Sequence, residues 1–452
     1  MRGLIEEALR GQAAEYIDVR VEESELTRIT YRGRQLDEVA RARGAGGCVR
    51  ALVRGGWGFV SFNDLESLPR AVALAVEEAR VAGREESRLA PVAPHVDVVM
   101  PTIGKDPRTV SLAEKKALLD GYVDVIWSTP KIATATLAYT DTYRRVVFAS
   151  NEGAYIEQSR IDVTLSASVQ ARDGADVQQA SLSLGALNDY RFVETLADEL
   201  KALAEKAVAF LSAPHVRGGE YTVILNPVLA GVFCHEAFGH LSEADHIYEN
   251  PRLQEIMKLG TRFGERHLNI VDGAALPGLR GSYAYDDEGT PAQQTDLIRE
   301  GILVGRLHSR ETAARMGERP TGNARALDYR FPPIVRMTNT YIEPGQARLE
   351  DMLEGIKEGI YAANWYGGTT TMEQFTFSAG EAYMIRDGRI AELLRPVVLS
   401  GNLFTTLRNI DMVGNDLAMN QGGGCGKGGQ VPLPVSTGGP HIRIRNVLVG
   451  GR

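Results

Sequence analysis

The residues best equipped for chemistry in this chain lie in "GVFCHEAFGHLSEAD", where Cys234, His235, Glu236, His240, Glu243, Asp245 and His246 fall within one short stretch. A zinc peptidase helix usually carries H-E-x-x-H, with histidines four residues apart on one face and a glutamate beside the first. Here His235 and His240 are five apart. At 3.6 residues per turn, five positions turn the second side chain about 140° from the first, whereas four leave it only about 40° away. A regular α-helix therefore cannot aim both imidazoles at one ion. A π-type turn, or a local helix end at Gly239, brings them back together, so the spacing predicts an irregular turn between Ala237 and His240.

A catalytic zinc site takes three protein ligands and keeps a fourth position open. Beyond the histidines, the chain offers Cys234, Glu243, Asp245 and His246 nearby, and Cys425 in "NQGGGCGKGGQ". Cys234 adjoins His235 and is rotated about 100° from it, a poor direction for the same ion. Cys425 is the favoured third ligand: its glycine neighbours leave the sulfur accessible, and backbone N–H groups with Lys427 favour the thiolate, the form that binds metal. Glu243, one turn after His240, stays open as a ligand or as a residue behind one. The glycine-rich run is no phosphate loop, because Lys427 is followed by Gly428 where Ser or Thr is required. Cys48 and Cys234 read as small apolar core residues.

These residues must be positioned by a large scaffold. At 452 residues, with 44% hydrophobic and 24% charged residues, the chain has room for two or three soluble domains. No apolar run is long enough for a membrane span, and the amino terminus lacks the pattern of a signal peptide, so a cytoplasmic location is the expectation. A net charge of -8 argues against nucleic acid and anionic lipid as partners, and three cysteines do not describe a disulfide framework.

The first half alternates strands and helices. "YIDVRVEES" places Ile17, Val19 and Val21 on one face and Asp18, Arg20 and Glu22 on the other, the pattern of a half-buried strand. Asn63 and Asp64 cap a helix with apolar residues at helical spacing, and Ser111 with Glu114 forms a capping box before another. "RRVVFAS" and "AYIEQSR" form a hairpin, "IDVTLSASVQAR" reads as a further strand, and residues 192–211 as an amphipathic helix. "SAPHVRGGE" separates an amino-terminal domain, residues 1–213, from a carboxy-terminal one, residues 214–452. There "YTVIL" is a strand, Asn226 caps and Pro227 opens the helix that carries the motif, and most of the rest is strand and turn. The acidic "YDDEG" at 285–289 is a solvated turn or a cation or amine site. Arg319, Asn323 and Arg325 hold either substrate or a subunit contact. His215, His246, His267, His308 and His441 read as surface or satisfied core.

"HEAFGH", "YDDEGTPAQQT", "RPTGNARA" and "CGKGGQ", in this order and spacing, resemble the TldD/PmbA family of metallopeptidases, most strongly beyond about residue 220. The resemblance implies an α+β protein: an amino-terminal α/β domain, then a mainly antiparallel-sheet domain carrying the metal-binding helix. It implies Zn2+ held by His235, His240 and Cys425, with Glu236 as general base on a zinc-bound water. It also implies unfolded or extended peptides as substrates in an enclosed groove, and a homodimer or a heterodimer with a motif-less paralogue. A zinc-stabilised recognition or structural subunit of a peptide-processing complex is the alternative expectation.

Overall fold

The computed structural model describes residues 1–83, 87–371 and 373–451, so Arg452, the end of the expected carboxy-terminal domain, lies outside them. The first half is built on a sheet of seven strands: β1 (Tyr16–Arg32), β2 (Gln35–Val53), β3 (Gly56–Phe62), β4 (Val96–Val99), β5 (Ile132–Ser150), β6 (Tyr155–Asp173) and β7 (Asp176–Leu187). Their order is β3-β2-β1-β5-β6-β4, with β7 also on β6; only β4 runs parallel to its neighbour. The β5–β6 hairpin turns at Asn151–Gly153 as expected. The two segments read separately as "AYIEQSR" and "IDVTLSASVQAR" are one continuous strand, β6.

Helices α1 (Arg2–Leu9), α2 (Leu68–Ala82), α3 (Leu112–Trp127) and α4 (Ala197–Ala209) cover one face of this sheet. The caps follow the sequence: Asp64 accepts from Ser67 N–H in the short turn before α2, and Ser111 and Glu114 close a capping box on α3. The helix expected over 192–211 is shorter. A 3₁₀ turn takes Tyr190–Thr195 and the α-helix runs only from Ala197 to Ala209. Ile17, Val19 and Val21 bury against α1 and α2, while Ile29 and Tyr31 further along β1 bury against α3 and α4.

The other face of β1 departs from the half-buried pattern. Asp18, Arg20 and Glu22 are also buried, because this polar face packs on residues 285–331 of the second half. Arg50 on β2 donates to Asp18 at 2.6 Å and to Glu288 at 3.0 Å. Arg20 donates to the carbonyls of Asp328 and Phe331 and stands 3.3 Å from Asp287. "YDDEG" is therefore neither a solvated turn nor an open cation site. Asp286 accepts from the backbone N–H groups of Glu288, Thr290 and Ala324, and Glu288 accepts from Arg310 N–H. Asn323 and Arg325 are spent inside the second half: Asn323 donates to Asp272, and Arg325 to the carbonyls of Met337 and Pro434.

Buried charges are destabilising when left alone. Arg50→Ala strands Asp18 and Glu288 and is expected to cost about 3–5 kcal/mol. Arg43, exposed beside Glu25 at the far end of β2, is the contrast: Arg43→Ala is expected to stay within about 1 kcal/mol. Denaturant unfolding of the two variants checks the difference.

The second half closes a barrel. β8 (Gly219–Leu225) pairs with Glu358–Thr371 on one side and Ile442–Gly451 on the other; Val397–Asn402 and Gln374–Arg386 complete a ring of five strands. Closure removes the sheet edges and leaves an interior of side chains. Beside it stands a six-stranded sheet that includes Ile270–Gly273, Asn339–Ile342 and Ser436–Gly439. Helix α5 (Pro227–Cys234), "PVLAGVFC", lies between the two. A helix apolar all round has to be buried on all sides. Its Leu229 and Phe233 pack into the barrel against Phe375 and Phe377. Asn226 accepts from Leu229 N–H at 2.9 Å, and Pro227 takes the first helical position.

Candidate metal centre

The motif begins where α5 ends. His235–Gly239 form a single π turn, followed by a 3₁₀ turn at His240–Ser242 and a short helix at Ala244–Tyr248. The wider π turn takes up the extra residue, and the imidazoles of His235 and His240 come to 5.2 Å between ring centroids, nearly perpendicular. The irregular turn expected from the five-residue spacing is thus present, and it takes the π form.

Cys425 arrives from the far end of the chain on the strand Gly424–Lys427, which pairs with Gln430–Pro434. Gly428 and Gly429, both at positive φ, make the connecting turn, a conformation that side chains with a Cβ resist. Gly422 explains another glycine of the run: a Cβ there would sit 1.7 Å from the Ser183 carbonyl of β7, so only glycine lets the loop dock. Arg336, wholly buried, donates to the carbonyls of Cys425 and Gln430 and fixes the hairpin. The glycines do not leave the sulfur accessible, as the sequence suggested; Cys425 is buried.

One ligand atom each from His235, His240 and Cys425 lies within 4.8 Å of the others. His240 Nε2 is 3.5 Å from Cys425 Sγ, and its Nδ1 is 3.0 Å from Glu243 Oε2. Glu243, fully buried, stands behind His240 rather than beside the sulfur. Lys427 Nζ is 3.2 Å from Glu243 Oε2 and 2.6 Å from Asp245 Oδ1, so the strand that brings Cys425 also clamps the carboxylate that orients His240. Glu236 is 30% exposed, with its carboxylate 4.0 Å from His240 Nε2. Cys234 is buried in the core and is not one of this group of three. His246, read as an unpartnered histidine, stands at the rim with Nε2 3.8 Å from Glu243 Oε2.

The charges are mutually stabilised. Burial alone raises a thiol, but the imidazoles of His235 and His240 outweigh it and bring Cys425 down to about 5. Burial disfavours the imidazolium of His240, yet the hydrogen bonds it donates to Cys425 and Glu243 bring it up to about 11. Glu243, which burial alone would raise, is held at about 2 by Lys427 and His240. These shifts favour a thiolate on Cys425 beside an imidazolium on His240, and a metal bound there would have to displace a proton from that ring.

Two imidazoles and a thiolate form the mixed nitrogen and sulfur donor set that suits zinc. Among the described residues, buried His235 Nδ1 has no hydrogen-bond partner, as expected of a nitrogen that a further group would engage. The residues therefore fit a zinc ion.

The thiolate has a direct consequence. Chelator-treated protein exposed to iodoacetamide is expected to label at Cys425 before Cys48 or Cys234, whose thiols burial pushes up. A group with a depressed pKa loses its charged form as pH falls through that value, so labelling should slow as pH drops through about 5. Peptide mapping by mass spectrometry at several pH values, with and without zinc, checks both parts.

Lys427 entered the sequence reading only as a neighbour that favours thiolate, and Arg336 did not enter at all. The three-residue offset of Glu243 from His240 was the visible sign of its place, since residues three apart on a helix adjoin. Nothing in the sequence near Arg336 marks it.

A mixed α and β scaffold thus brings Cys425 to the two histidines of an H-E-x-x-x-H turn as a candidate metal centre, and comparison with known proteins gives its family. The PmbA/TldA metallopeptidase C-terminal domain matches residues 218–451, domain 1 of the same family residues 17–80, and its central domain residues 105–212. The chain belongs to the PmbA/TldD family. It is 50% identical to a protein of Synechocystis named a metalloprotease, over 97% of this chain and 95% of that one. A protein of Saccharolobus solfataricus named a zinc metalloprotease TldD homolog is 38% identical over 71% and 72% of the two chains. Among solved structures, TldE from Thermococcus kodakarensis shares the fold with a TM-score of 0.79 at 18% identity, all of both chains being covered. No helix among the described residues is long and apolar enough to cross a membrane.

Proposed function

We propose that the protein is a zinc-dependent peptidase acting on unfolded or extended peptides, with His235, His240 and Cys425 as the zinc ligands and Glu236 as general base. The observation that carries this reading is the placement of Glu236. It is partly exposed, on the side of His240 whose nitrogen faces the ligand cluster, while the Glu243 carboxylate is engaged behind the ring with Lys427. A purely structural zinc site would close the fourth position with another protein ligand and would have no use for a free carboxylate there.

Bound zinc would supply Lewis acidity toward the scissile carbonyl and lower the pKa of water toward about 7. Glu236 then accepts a proton from the attacking water and returns it to the leaving amine nitrogen. Glu243 and Lys427 hold His240 with its Nε2 toward the cluster, the outer support that fixes a ligand's tautomer and direction. The polypeptide to be cut reaches these groups from the space between the two halves of the chain. On this reading an extended strand is admitted there and a folded protein is excluded.

Its assembly would be a homodimer or a heterodimer with a motif-less paralogue, as the family resemblance implies. We place the boundary between its two halves at residue 214, between α4 and β8. The test is direct: measure zinc in purified protein, then casein cleavage alone and with such a paralogue, with and without chelator. Stoichiometric zinc with no cleavage by either assembly would sink the peptidase reading in favour of a zinc-stabilised structural subunit.

A further inference from the structure

Between the two halves lies a cavity of about 880 Å³, within the size range of ligand sites. Its floor is the polar face of β1, β5 and β6, the same face that carries Asp18 and Arg20 nearer the joint. Its roof comes from residues 274–287 and the loop Gly422–Gly424, which leads directly into Cys425. The cavity therefore adjoins the metal cluster through one segment of chain, although His235 and Glu236 are not among its walls.

The wall charges are uneven. Five arginines, Arg28, Arg144, Arg160, Arg280 and Arg325, face three carboxylates, Asp162, Asp286 and Asp287. One of these carboxylates, Asp162, is shared by Arg160 at 2.8 Å and Arg280 at 3.3 Å. Asp287 is already engaged by Arg20 from below the floor, and Asp286 by three backbone N–H groups. Arg325 donates to backbone carbonyls and shares the charge of Asp287, and Arg144 pairs with Glu22. Arg28 is exposed on β1, and no described residue pairs with its guanidinium. In a chain of net charge -8, this is a positive recess with low-dielectric walls, which concentrates its field on whatever enters.

We propose that this cavity selects anionic peptides, binding a carboxylate of the extended substrate against Arg28 while serine and threonine hydroxyls of β5 and β6 meet its backbone. The proposal rests on the peptidase reading for its substrate, and its own content is the charge preference. The carboxylate comes either from an Asp or Glu side chain or from a free carboxyl terminus.

The experiment measures binding of dye-labelled unstructured peptides that differ only in carrying Glu, Gln or Lys, each with a free or amidated carboxyl terminus. Fluorescence anisotropy is read on the full-length protein, both metal-free and zinc-loaded, at low and high salt. The Glu peptide is expected to bind about tenfold more tightly than the Lys peptide, with the gap narrowing as salt screens it. Arg28→Glu, and the milder Arg28→Gln, should bring the two peptides within about twofold. Arg43→Glu, an equal change of net charge at an exposed site outside the cavity, should leave the preference in place.

A preference that disappears on amidation assigns the terminal carboxylate, and one that survives assigns the side chain; either supports the proposal. Equal affinity for Glu and Lys peptides overturns it, as does an Arg43→Glu effect matching that of Arg28→Glu. Because binding is read without turnover, acidic peptides bound but never cut would count against the peptidase reading alone, and cleavage with no charge preference against this proposal alone.

Discussion

Glu236→Gln protein loaded with zinc is expected to keep its metal and lose peptide cleavage by about 100- to 10,000-fold, the range attached to a positioned acid–base group. The amide matches the carboxylate in size and can still accept a hydrogen bond, but it does not take a proton near neutral pH. Nothing in the geometry makes Glu236 a zinc ligand: its carboxylate is 4.0 Å from His240 Nε2, and the three-residue cluster assembles without it. The loss should therefore fall on kcat, with zinc content and thermal stability unchanged. Steady-state cleavage of an unstructured peptide, paired with metal analysis of the same preparation, makes the measurement. Wild-type turnover in a zinc-loaded mutant would remove Glu236 from the role of base.

Cys425→Ser is the second large effect, and it should appear in the metal rather than only in the rate. A serine hydroxyl stays protonated at neutral pH and is a poor partner for zinc, so the site drops to two imidazoles. Changing a residue behind a ligand typically costs 10- to 100-fold in metal affinity, and loss of a ligand should exceed that, leaving purified protein substoichiometric in zinc. Glu243→Gln supplies the intermediate case. It leaves all three ligands in place and removes the carboxylate that holds His240 Nδ1, so its loss should lie within about 10- to 100-fold. Cys234→Ser is the control, because that buried side chain packs in the core and should affect stability without releasing zinc. Unchanged stoichiometric zinc in Cys425→Ser would move the third ligand to Glu243 or another residue.

Much of the scaffold was legible because its signals are local. The capping box at Ser111, the Asn226-Pro227 start of α5 and the β5–β6 turn each follow from a few neighbouring residues, and each is present. So was the need for an irregular turn, since five residues and 3.6 per turn leave no regular alternative. Where the reading went astray, a distant partner had changed the meaning of a local pattern. Asp18, Arg20 and Glu22 alternate with apolar residues as a solvent face would, yet the second half covers them and matches their charges. "YDDEG" has the composition of an exposed turn, and it is buried because backbone N–H groups and arginines from three separate regions satisfy it.

The sequence by itself determined which residues have the chemistry: two histidines, a glutamate beside the first, and a cysteine among glycines. Local periodicity and residue type carry that information, and they are the same in any fold. Only the tertiary structure decided which of those atoms meet. Cys425 lies 185 positions beyond His240, and it reaches that ring because the loop docks on β7 at Gly422, Arg336 holds its hairpin, and Lys427 anchors it to Glu243. The same packing placed Glu243 behind His240 rather than beside the sulfur, a choice between ligand and support that residue types alone leave open, since a carboxylate serves equally well as either.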